Sequence, residues 1–221
     1  MMSHALFHYP KTAAFERVLP KSKIYEHAKP SSAVRELFVS QLDKIIWQYK
    51  LAPETINLPA KPSVPEIQIF TLALKTPELS EDVLRCIDQA IPFPIIYQLT
   101  AENRIKVKAA YKHPHDADST KWLVEAYFET AWQPFDSERA ELPVAVDLVG
   151  LYETLLRQLL PLPAKTGESL KAHLARLGQL RSKQQEYQKL EAKLQKEPQF
   201  NRKVELNKQL RFLKQQLEQL Q

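Results

Sequence analysis

Glu66-Ile67-Gln68-Ile69-Phe70-Thr71-Leu72-Ala73-Leu74 is apolar at consecutive positions in its second half. A strand of that kind must be covered on both faces, which places it at the centre of a sheet with layers on either side. Downstream, Ser80 followed by Glu81 and Asp82 is a capped, dipole-matched helix start, and the helix runs to about Ala90 before Pro92 and Pro94. Three strands are expected next, at about 94–100, 104–111 and 121–132. In the second, Ile105, Val107, Ala109 and Tyr111 alternate with Arg104, Lys106 and Lys108; in the third, Trp122, Val124, Ala126, Phe128 and Trp132 alternate with Lys121, Glu125, Tyr127 and Glu129. That periodicity predicts one covered and one wet face, with Lys106 and Lys108 opposite Glu125 and Glu129 if the two strands pair.

Upstream, residues 1–30 are punctuated by Pro and Lys and read as extended chain. Ser31 or Ser32 caps a helix expected to reach about Tyr49, with Val34, Leu37, Phe38, Leu42, Ile45 and Ile46 as its apolar stripe. Residues 54–58 are a strand candidate, and a helix at about 144–160 precedes Pro161-Leu162-Pro163. The fold class is therefore α+β, a mixed sheet covered by helices, in a body of residues 1–164.

Residues 165–221 are different in kind. They carry 13 Lys and Arg against 6 Asp and Glu, net +7, whereas residues 1–164 carry 18 against 20, net −2. Leu206, Leu210, Leu213, Leu217 and Leu220 step by four and three, as do Leu170, Leu174 and Leu177, with Leu180, Tyr187 and Leu194 continuing the first run. Pro198 interrupts the pattern, so the expectation is a C-terminal coiled-coil hairpin with Phe200 plugging its turn. A dimerising coiled coil is the alternative. A basic helical arm suits polyanion binding, because phosphate neutralisation releases counterions whatever the base sequence. Its candidate contacts are Lys183, Lys189, Lys193, Lys196, Arg202, Lys203, Lys208 and Arg211, with Trp47, Tyr49 and Lys50 as a further aromatic and basic loop.

The chain offers little for chemistry. Its three glycines, Gly150, Gly167 and Gly178, leave the first 149 residues without one, which excludes phosphate-cradling glycine loops by motif. Cys86 is the single cysteine, so no internal disulfide or cysteine-based zinc site can form, and its apolar neighbours predict a buried thiol. Glu36 and Glu66 could serve a metal-dependent nuclease, but Gln68 stands where such a site would place a lysine. His113, His115, Asp116 and Asp118 hold potential metal ligands at an expected hairpin tip, where a solvated loop is the simpler reading. Ser119 and Thr120 adjoin these histidines without a hydrolase signature. No cofactor, small-molecule substrate or membrane partner is expected, and neither a secretion signal nor a membrane span is visible, so the cytoplasm is the expected compartment.

Five stretches carry a family resemblance: Leu19-Pro20-Lys21, the run from Trp47 to Leu58, Glu66 to Phe70, Ile87 to Pro92, and Gln199 to Asn207. Across nearly the whole chain they resemble bacterial and archaeal proteins carrying domain of unknown function 4391. Members tend to be encoded beside helicases and DNA methyltransferases in phage-defence or restriction-like loci. The resemblance thus implies an accessory, non-catalytic subunit that meets DNA or RNA and such partners, and it transfers no catalytic residue. More loosely, the arm resembles the basic coiled-coil tails with which class I aminoacyl-tRNA synthetases grip tRNA. A metal-dependent nuclease and a purely structural scaffold are the other two expectations.

Overall fold

The computed structural model describes residues 5–115 and 117–221. The chain divides into two compact units, Met1–Leu160 and Pro161–Gln221.

In the first unit the strands Ala14–Val18 (β2), Leu42–Leu51 (β3), Ile67–Leu74 (β4), Ile95–Ala101 (β5), Arg104–His115 (β6) and Asp118–Glu129 (β7) lie side by side in chain order. Gln133–Pro134 (β8) pairs with the first two residues of β6, and Phe7–His8 (β1) pairs in parallel with Ala140–Glu141 (β9). Within the large sheet only β4 and β5 are parallel, a pairing that needs a crossover connection, which the helix Glu81–Ala90 (α4) supplies. The expected central strand is indeed flanked on both sides, and its first four residues are fully buried.

Two layers cover this sheet. Phe70, Leu72, Ile95, Tyr97, Leu99, Ala110 and Tyr127 meet Ile24 and Ala28 of Lys21–Ala28 (α1), Phe38 of Ser32–Gln41 (α2) and Val83, Leu84 and Ile87 of α4 in one core. Residues of the other parity, such as Ile67, Ile69, Ile96, Val107 and Ala109, are buried too. On that side Leu148–Arg157 (α5) lies against β6. The β5–β6 ladder stops at Ile96 and Ala109, and the Tyr152 hydroxyl takes over just beyond it, donating to the Ala110 carbonyl and accepting from the Lys112 N–H, each at 2.9 Å.

Several expectations fail here for physical reasons. The helix from Ser31 stops at Gln41 instead of reaching Tyr49. Ile45, Ile46, Trp47 and Tyr49 are β-branched or aromatic, and as β3 they pair with both β2 and β4. Residues 1–30 are not simply extended: Pro20 opens α1 and Lys29, in the left-handed region at φ 48°, closes it. The strand candidate at 54–58 is a single helical turn, Pro53–Ile56 (α3), with Pro at its first position and Asn57 at φ 54° after it. The wet face expected for β6 and β7 is covered from Lys108 onward, where Lys108, Ala110 and Lys112 are all buried. An extra residue in β7, between the pairs Ala110–Tyr127 and Lys112–Val124, also reverses the alternation, so Tyr127 is buried although the sequence pattern places it with the polar set.

The second unit is two long helices, Leu170–Lys196 (α6) and Phe200–Leu220 (α7), joined by the three residues Glu197 to Gln199. They pack on each other and their far ends meet: Arg176 donates from Nη1 to the Leu220 carbonyl at 2.8 Å, and Lys165 from Nζ to that of Gln219 at 3.0 Å. Leu170, Leu177, Leu180, Leu210 and Leu213 of the expected seam are buried. Phe200 does not plug the turn; it is 77% exposed.

Candidate nucleic-acid interface and polar clusters

A helix exposes its polar face when its apolar stripe is spent on a partner helix. In α6 and α7 the stripe is spent on the other limb. Lys189, Lys193, Lys196, Arg202, Lys203, Lys208 and Arg211 are exposed, and none of them has a carboxylate partner among the described residues. Lys183 is half-buried and pairs with Glu186 at 3.2 Å. Most of the arm's candidate contacts are therefore cations whose charge no neighbour neutralises. The outer part of α7 also exposes Phe200, Val204 and Phe212, so aromatic rings stand among the basic residues.

The base of the hairpin is built differently. Arg176 reaches both carboxylate oxygens of Glu168 at 2.8 Å and the Pro163 carbonyl at 2.8 Å. His173, fully buried, donates from Nε2 to the Leu162 carbonyl at 2.8 Å. The Arg176 guanidinium and the Lys165 backbone N–H hold the Glu168 carboxyl down at about 2. Arg176 is thus a clasp, whereas the cations toward the turn are solvated.

Trp47, Tyr49 and Lys50 do not form a free loop, because all three lie in β3. Trp47 stacks against Phe70 with centroids 5.9 Å apart, packs on Phe15 at 4.2 Å, and donates its Nε1 to the Tyr49 carbonyl at 3.0 Å. Tyr49 stacks on Tyr9 at 4.6 Å. Lys50 reaches Glu54 at 2.7 Å and Glu66 at 3.4 Å. Stacking partners and counter-charges are already supplied from within.

The carboxylate pair named for a nuclease is also separated. Glu36 sits exposed on α2, which precedes the start of β3, while Glu66 lies beside Lys50 at the other end of that strand, a run of about 26 Å at ~3.3 Å per residue. The residue that accompanies Glu66 is Glu54, through their shared Lys50. The Gln68 amide donates to Glu66, and its own Oε1 is buried without a partner among the described residues. Sequence reading misses Glu54 because residues 54–58 pass for a strand.

Around the β6–β7 turn, His113 Nε2 lies 3.5 Å from Glu125, His115 Nδ1 accepts the Ala117 N–H at 3.1 Å, and Asp118 pairs with Lys121 at 3.2 Å. Asp116 lies outside the described residues, as do the side chains of Ser119 and Thr120. Among the described residues no three His, Cys, Asp or Glu side chains converge in a metal-holding group. The Lys106 and Lys108 ammonium groups both reach Glu129, at 2.9 and 3.0 Å, while Glu125 goes to His113 instead.

One cluster had no sequence signal. Lys112, 1% exposed, donates to the Asp88 carbonyl at 2.6 Å, to the Asp88 carboxylate at 3.2 Å and to the Ile91 carbonyl, and Tyr127 donates to the other Asp88 oxygen. Burial pushes the Asp88 carboxyl up and the Lys112 ammonium down, each partly countered by the other's charge. The lysine ties the C-terminal carbonyls of α4 to β6, a structural task.

No curated protein and no solved structure matches the chain, and no helix among the described residues is long and apolar enough to cross a membrane. Residues 7–217 match the family described as domain of unknown function (DUF4391), and the chain belongs to that family.

Proposed function

We propose that this protein is a non-catalytic, nucleic-acid-binding accessory subunit that engages DNA or RNA through its α6–α7 arm, the two helices zipping as an antiparallel coiled coil. The observation that carries this reading is the set of exposed, unneutralised cations on a unit of net charge +7. Phosphates supply their counter-charge. Phe212, exposed beside Lys208 and Arg211, and Phe200, exposed near Arg202 and Lys203, add stacking surface, which favours single strands over closed duplex. The body, whose surface charge is nearly balanced, docks on the larger defence or restriction-like assembly, with helicase or methyltransferase subunits as its partners.

The test is equilibrium binding of labelled single-stranded and duplex DNA and RNA across a salt series, for the intact chain and for a variant carrying Lys189→Glu, Lys193→Glu, Arg202→Glu and Lys203→Glu. Steep salt dependence that disappears in the variant is the expected result. Salt-insensitive binding, or equal binding by the variant, removes the arm from the interface.

A second reading, a metal-dependent nuclease, draws on Glu54 and Glu66. Two carboxylates with substrate phosphates suffice to hold magnesium, and the nearby Lys50 could orient water or a phosphate. In the present arrangement Lys50 pairs with both and occupies the place of a cation.

A further inference from the structure

On the sheet face that bears Ile69 and Ile96, uncharged polar side chains gather at one place. There Thr71 of β4 and Gln98 of β5 are direct register partners, and Thr100 follows two residues on. A β-bulge between Trp47 and Tyr49 inserts Gln48 and turns it onto the same pocket. Four hydrogen-bonding side chains from three neighbouring strands thus line a cavity of about 420 Å³. Its remaining walls come from Tyr49 of β3, Ile105 of β6, the N-terminal segment with Tyr9, and the segment after β7 with Phe135 and Arg139.

Three features separate this cavity from ordinary packing. Gln98 is 5% exposed, and among the described residues its Nε2 has no partner in regular hydrogen-bond geometry; the Tyr9 hydroxyl beside it is at most a weak one. A buried donor without a well-placed acceptor is destabilising until one is supplied. Arg139 is half-buried with no ion-pair partner among the described residues, and no carboxylate lines the cavity. Gln48 and Thr71 likewise have no bonded side-chain partner among the described residues, so polar groups converge on the cavity and not on each other. Apolar and aromatic walls with a few convergent polar groups are the usual make-up of a small-ligand site, and this volume lies in the usual range.

We infer that this cavity binds a small organic anion, whose carboxylate or phosphate pairs with Arg139 and whose acceptor oxygen takes the Gln98 amide N–H. The ligand's apolar part lies against Phe135 and the Tyr9–Tyr49 stack. The arm plays no part in this site, which lies entirely in the first unit, and the inference revises the sequence-based expectation that no small molecule binds.

Titration of isotope-labelled full-length protein by magnetic resonance tests it, using adenosine 5′-monophosphate, benzoate and inorganic phosphate as separate probes. The expected result is saturable shifts at Gln98, Thr71 and Arg139 with at least one organic probe. Adenosine monophosphate alone identifies a phosphate ester, and benzoate alone a carboxylate. Arg139→Gln, a change at a half-exposed position, should weaken binding about tenfold or more, the loss expected for a hydrogen bond to a charged group. Gln98→Leu should also weaken it while leaving the spectrum folded. Shifts confined to the arm, shifts with inorganic phosphate only, no shifts at millimolar probe, or unchanged affinity in Arg139→Gln each overturn the inference.

Discussion

A lysine that is 1% exposed, as Lys112 is, must be surrounded by acceptors or give up its charge. Lys112 has carbonyls of Asp88 and Ile91 and one oxygen of the Asp88 carboxylate, while Tyr127 holds the other. Removing the ammonium leaves a buried carboxylate supported by a single phenol. Lys112→Met should therefore lower stability by ~3–5 kcal/mol in urea unfolding, the range for breaking a buried pair. Adding Asp88→Asn should recover a large part of it, because no charge is then stranded. A single variant as stable as the parent would show that this network carries no structural load. None of this is legible in sequence. Lys112 lies just past the strand expected at 104–111, and only the placement of α4 over β6 separates this buried lysine from the partly exposed Lys106. Cys86, by contrast, is legible from its apolar neighbours; it is 6% exposed, and burial pushes its thiol up.

Elements differ in how openly the sequence declares them. The limbs α6 and α7 announce themselves because leucine spacing and the Pro198 break are local properties. The strand β3 does not, since Leu42, Ile45 and Ile46 also fit a helical stripe and the choice is made by hydrogen bonding to β2 and β4. Two predictions belong to the arm. Gly178 lies exposed within α6, and a Cβ there would meet nothing within 4 Å, so Gly178→Ala should stabilise the arm by ~0.5–1 kcal/mol. A thermal melt followed by circular dichroism reads this, and an unchanged or lower melting point would contradict it. The second concerns acid. Glu168 is held at about 2 by Arg176, below the ~4.3 of an unfolded glutamate. Its contribution to stability is complete above that unfolded value and is lost as pH falls from there through about 2. Amide exchange in the last turn of α7, where Arg176 holds the Leu220 carbonyl, should accelerate over this window. Glu168→Gln should already show fast exchange at neutral pH, with a weaker dependence on acid.

At the scale of the whole molecule, charge is segregated: the positive excess is confined to residues 165–221 while the remainder is close to neutral. Binding to nucleic acid should then scale with the number of arm cations that neutralise a phosphate. Replacing Lys193 and Lys203 with Ala should lower the slope of log affinity against log salt by roughly 1 for each phosphate left without its cation, equally for unrelated sequences. The decisive outcome is what happens to the bound strand. If the body is an adaptor, labelled nucleic acid incubated with intact protein and magnesium or manganese should be retained and recovered whole. Glu66→Gln should then change neither retention nor integrity, because on that reading Glu66 serves only as a partner of Lys50 at the end of β3. Cleavage by the parent that disappears in Glu66→Gln, with retention unchanged, would instead establish the nuclease reading: Glu54 and Glu66 would have exchanged Lys50 for a cation, and the arm would be the grip that presents the strand to them.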